Sequence, residues 1–203
     1  MWFNNLKSMA LMAWCAAVLT AISCTSGNQL VTENLLAKFQ PGVPPFTVTE
    51  ETFYEYGEWE WQDSSVVNRF FPVLDEDELR ILGDNPAPVP LGMVRRTAAL
   101  IILGPVNSHR LLLYRHDIRP IDDVPSAPEG SLQFIAVLVD EHNAVIDRQI
   151  LADWKGRSTL KLGSIDEHFA IRTITRPYDS DQPDTLRQEE KFKMTAKGSS
   201  LIQ

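Results

Sequence analysis

Phe53, Tyr54, Tyr56, Trp59 and Trp61 are interleaved with Glu51, Glu55, Glu58 and Glu60. On an extended strand Trp59 and Trp61 share one face, and Glu58 and Glu60 share the other. Tyrosine and tryptophan give large, rigid contact area and dominate interface hot spots. Tryptophan faces also stack on sugars, and an acidic rim favours a basic partner. Tyr54, Tyr56, Trp59 and Trp61 are therefore the candidate binding residues. The plainer alternative puts the aromatics in the core and the acids in solvent.

Other chemistry-bearing residues argue less. His109, His116, His142 and His168 lack the spacing of a zinc set. His109 and His116 are expected on opposite faces of one strand, and His142 in a turn. His116 precedes Asp117 and His168 follows Asp166-Glu167, so either histidine has a carboxylate at hand to orient it as a general base. Neighbours on a strand point apart, however, and a polar surface role is the expectation for both. Ser158-Thr159-Leu160-Lys161 matches the S-x-x-K of serine acyl-enzymes, which needs a helix start, but it falls in a strand-like segment. Asp179, Asp181 and Asp184 sit in a proline-containing loop after Pro177, without the spacing of a calcium loop. No nucleotide, metalloprotease or nucleophile-elbow motif is present. The sequence thus gives no catalytic residue, no metal site and no cofactor. The 27 acidic residues still leave room for a glycosidase-type carboxylate pair formed only in three dimensions.

The address is more explicit. Met1–Ser8 carries the single charge Lys7, an apolar run follows from Met9 to Ile22, and small residues close it. That is the layout of an export signal, and it is short for a membrane span. Ala21-Ile22-Ser23-Cys24 resembles the lipobox of bacterial lipoproteins, although Ala21 stands where most have leucine. The resemblance covers about the first 24 residues. It implies cleavage before Cys24, a lipid on that cysteine, and membrane attachment in the bacterial envelope. Thr25, being no aspartate, then implies an outer-membrane destination facing the periplasm. Ordinary secretion after Ala21-x-Ser23, or an uncleaved anchor helix, are the alternatives.

Removing residues 1–23 discards Lys7 and Cys15, leaving 18 basic against 27 acidic residues, a net charge of −9. A surface so acidic excludes a nucleic-acid partner. A single mature cysteine excludes an internal disulfide, so burial alone must hold the domain together.

The elements follow from local patterns. Residues 25–29 read as a polar tether. A helix is expected over 31–39, capped by Thr32 and ended by Pro41-Gly42, then a strand from Phe46. Helices are expected over 64–71 and 75–82, the latter acid-led and closed by Gly83. Residues 85–90 form a stiff connector. Strands are expected over 93–103, 110–116, 131–139 and 144–151. A further hairpin of 159–162 with 168–175 turns at Gly163-Ser164, and a last strand spans 187–196. Residues 119–130 and 177–184 are expected as loops. Sequential hairpins give an antiparallel meander. The expected fold is α+β and β-dominated: a curled sheet or partial barrel with short N-terminal helices, one domain over 31–203. The expected role is a non-enzymatic, protein-binding or immunity-like accessory of the envelope. The alternative is a cell-wall or glycan hydrolase or binding protein.

Overall fold

The computed structural model describes residues 30–52, 71–120, 130–155, 159–177, 187–194 and 200–201. Among the described residues two short helices, α1 (Glu33–Leu36) and α2 (Glu76–Ile81), accompany ten strands: β1 (Gln40–Gly42), β2 (Phe46–Val48), β3 (Met93–Val106), β4 (His109–Pro120), β5 (Ser131–Val139), β6 (Val145–Lys155), β7 (Thr159–Ile165), β8 (Ala170–Pro177), β9 (Gln188–Lys193) and β10 (Ser200–Leu201). The sheet runs β1-β3-β4-β5-β6-β7-β8-β9-β10, with β2 attached to β7. From β3 onward it is the antiparallel meander that successive hairpins require. Among the described residues it does not close into a barrel.

The central strands are apolar on both faces because both are covered. On the inner side of the curl, Leu111, Leu113, Phe134, Ala136 and Leu138 pack with Leu151, Leu160, Ile165, Phe169 and Ile171. On the outer side, Leu112, Tyr114, Ile135 and Val137 pack with Val31, Leu35, Leu36 and Phe39, and with Leu74, Leu79 and Leu82. The helices thus cover the outer face, and the far strands of the same sheet cover the inner one.

Thr32 caps α1 and Leu35, Leu36 and Phe39 are buried as expected, but the helix is only four residues long. Pro41-Gly42 does not simply end it. Those residues form β1, which lies parallel to β3 with Gly42 opposite Leu103. Proline is tolerated on an edge strand, and a Cβ on Gly42 would overlap the Ile101 side chain. The second helix matches expectation. Asp75 and Glu78 form a reciprocal capping box, and Gly83 ends the helix at φ +69°.

Two boundaries differ in kind. β4 extends through Arg119 and Pro120, which pair with Val94 and Met93, so the expected loop starts later. The β7–β8 turn is not at Gly163-Ser164, which lie within β7 opposite Thr173 and Arg172. Glycine is there for closeness, because a Cβ at 163 would overlap the Leu151 carbonyl oxygen. The turn is made further on, by Asp166, through hydrogen bonds described below. The strand expected over 187–196 is β9, Gln188–Lys193; Phe192 packs on the inner core while Lys191 and Lys193 are exposed, the alternation the pattern implied.

Candidate functional site

A buried group of ionisable side chains lies under the end of α2. The positive φ of Gly83 turns the chain back, and the Asp84 amide donates to the Leu79 carbonyl at 2.8 Å. This drives the Asp84 carboxylate into the outer face of the sheet, where the residue is 3% exposed. Tyr114 and His116, two apart on β4, project from the same face to meet it. Tyr114 Oη donates to Asp84 Oδ2 at 2.5 Å, and His116 Nε2 lies 2.8 Å from the same oxygen. Arg148 of β6 reaches Asp84 Oδ1 at 3.1 Å. Thr97, the register partner of His116 on β3, places Oγ1 2.7 Å from His116 Nδ1.

Burial pushes the Asp84 carboxyl up. The hydrogen bonds from His116 and Tyr114, with the charges of Arg148 and His116, outweigh it and hold the group below its usual range. Tyr114 is pushed well above the usual tyrosine range, first by burial and then by its bond to the Asp84 carboxylate. Asp84 is therefore an anion and Tyr114 a neutral donor across the physiological range.

The order Thr97–His116–Asp84 is that of hydroxyl, base and orienting carboxylate in nucleophilic catalysis. Accessibility decides against that use. Thr97 and His116 are 4% and 5% exposed, and a substrate carbonyl has to reach the hydroxyl. A neighbouring cleft of about 300 Å³ is lined by α2 and the 85–89 connector, and Thr97 and His116 are not in its walls. The cluster acts as a clamp, fastening the α2 end to β3, β4 and β6. Breaking a buried ion pair from one side costs about 3–5 kcal/mol.

The sequence-derived candidates fare differently. His116 is oriented by a carboxylate, but by Asp84 rather than the adjacent Asp117. It is also buried, not the surface residue expected. Asp117 is buried as well and pairs with Arg119 at 2.8 Å. His142 and His168 are exposed in turns, and His109 bonds the Asn107 carbonyl at 2.7 Å. Lys161 is in β7, so the S-x-x-K match lacks its helix. Cys24, Tyr54, Tyr56, Trp59, Trp61, Ser158, Asp179, Asp181 and Asp184 lie outside the described residues. Among the described residues, no three His, Cys, Asp or Glu side chains converge as a metal site.

A feature that sequence reasoning passed over is a repeated turn. Asp140-Glu141-His142-Asn143-Ala144 joins β5 to β6, and Asp166-Glu167-His168-Phe169-Ala170 joins β7 to β8. Each aspartate Oδ1 accepts two amides, His142 and Ala144 at 2.9 and 2.8 Å, and His168 and Ala170 at 2.8 and 2.9 Å. Each fourth residue is left-handed, Asn143 at φ 63° and Phe169 at φ 60°. The side chains at that position part company. Asn143 accepts from Arg110 at 2.9 Å and donates to Glu33 at 3.3 Å, and its carbonyl accepts from Val31. Phe169 is 3% exposed in the inner core, beside Gly104 of β3.

No protein-family model, curated protein or solved structure matches the chain.

Proposed function

We propose that this chain is a lipid-anchored protein of the bacterial envelope, held by acylated Cys24 in the outer membrane facing the periplasm. It binds another protein and catalyses nothing itself, as an assembly accessory or an immunity-like module does. The observation that carries the proposal is Ala21-Ile22-Ser23-Cys24 at the end of an apolar run, six residues ahead of Leu30, where the sheet's pairing begins. The closed state of the Asp84 cluster supports the non-enzymatic half, because its hydrogen-bonding capacity is spent within the fold. Tyr54, Tyr56, Trp59 and Trp61 are the proposed contact residues, chosen for their chemistry.

The test is capture with the full-length, detergent-extracted protein beside its Trp59→Ala/Trp61→Ala variant. A stoichiometric envelope protein that is lost with the variant is the expected result. A partner retained by both discards the aromatic surface. Release of soluble fragments from cell-wall or glycan material by the pure protein overturns the non-enzymatic reading. A His116→Ala variant in the same assay would show whether any such release depends on the buried cluster.

A further inference from the structure

The register of the strands puts three turns at one end of the sheet. Val106 pairs with His109, Val139 with Val145, and Ile165 with Ile171. The neighbouring strands keep these ends together, since Arg110 pairs with Val139 and Phe169 reaches Gly104. Leu30 bridges Ala144 at the same end, and β1 delivers Val43 there, one residue past the Gly42–Leu103 pair. The opposite end holds the Met93–Pro120, Ser131–Lys155 and Thr159–Pro177 pairs. β4 has 12 residues, so the two ends are roughly 40 Å apart at about 3.3 Å per residue.

Six residue steps separate Cys24 from Leu30. A chain in any conformation spans at most about 3.6 Å per residue, so this connection reaches no further than about 22 Å. That is well short of the sheet's length. We infer that the anchor fixes the orientation of the domain: the end carrying the turns at 107–108, 140–143 and 166–169 faces the lipid bilayer, and the end carrying Leu91 and Val94 points away from it. This rests on the lipid-anchor proposal and goes beyond it by naming the bilayer-facing surface.

The surface suits a tethered approach rather than an electrostatic one. Leu30 and Val43 are exposed apolar side chains, 57% and 84% accessible. Glu33, Glu141 and Glu167 are exposed there too, so anionic headgroups offer no net attraction. Orientation set by tether length is then insensitive to salt, whereas charge-driven docking weakens as salt screens it.

The test uses the acylated full-length protein in phosphatidylethanolamine–phosphatidylglycerol vesicles with a headgroup-labelled acceptor lipid. Donor dyes are placed through Ser108→Cys, Glu141→Cys, Glu167→Cys and Leu91→Cys, one at a time. Intact mass is read first, and an unmodified Cys24 overturns the anchor proposal itself. With acylation established, the account expects several-fold greater energy transfer from the three turn positions than from Leu91, unchanged by added salt. Equal or reversed transfer overturns the orientation while leaving the anchor intact. A Gly/Ser insertion of about 12 residues between Gly27 and Asn28, adding up to about 40 Å of reach, should erase the difference. A difference that survives the insertion overturns the tether as its cause.

Discussion

The turns at Asp140 and Asp166 share four of five residue types, one hydrogen-bond pattern and one left-handed position, yet they fasten opposite faces of the sheet. Asn143 holds the N-terminal segment and, through it, α1 against the outer face. Phe169 closes the inner core. The aspartate sets the backbone, and the fourth residue decides what the turn holds. Asparagine adopts the left-handed region readily. Phenylalanine pays roughly 1–2 kcal/mol for it, which burial of its ring, worth roughly 1.5–3 kcal/mol, offsets.

The comparison breaks hardest where each face loses its fastening. Asp84→Ala strips the outer-face clamp and leaves Arg148 without that partner, and about 3–5 kcal/mol should disappear from the denaturant-unfolding free energy. Phe169→Ala empties the inner-core site and should cost a comparable 3 kcal/mol or somewhat more. Hydrogen exchange tells the two apart. Phe169→Ala should release amides of β7 and β8 first, and Asp84→Ala those of α2.

Asn143→Ala is expected to cost less, about 1–2 kcal/mol, from a lost bond to a charged group and a strained left-handed alanine. Its signature is faster exchange of the Val31 amide with little change in β8. Uniform loss of protection across both faces would show that the two turns do not act separately.

The acid limb sharpens the same contrast. Asp84 is held below its unfolded value, so its contribution is full above the ordinary carboxylate pKa of about 4 and is lost as pH falls through the lower folded value. Asp84→Asn should flatten the stability profile there, and Phe169→Ala should leave its slope unchanged. At the alkaline end the sign reverses. Tyr114 is raised, so its contribution fades above about pH 10, where the unfolded tyrosine ionises. Tyr114→Phe should remove that slope, the smallest of these effects.

Much of the fold was legible because its signals are local. Alternation marked β9, the acid-led start and Gly83 marked α2, and the continuous apolar run within 93–103 marked a strand covered on both sides. What escaped was long-range or rested on the wrong local cue. Asp84 and His116 are partners only through the packing of α2 on β4, and nothing near either residue names the other. Gly163 carries the local signal of a turn former, but in the fold it makes room for Leu151. The true signal was the second Asp-Glu-His run, whose aspartate bonds its own following amides. The candidate site was legible only as chemistry, since the aromatic residues declare what they can bind and not how they are arranged.

Everything functional in this account depends on Cys24. The most direct measurement is the intact mass and N-terminal peptide mass of the protein purified from a bacterial membrane fraction, beside Cys24→Ala. The account predicts that the wild-type chain begins at an acylated Cys24 and partitions with the membrane, and that the variant does neither. A wild-type chain carrying an unmodified Cys24 thiol would contradict it.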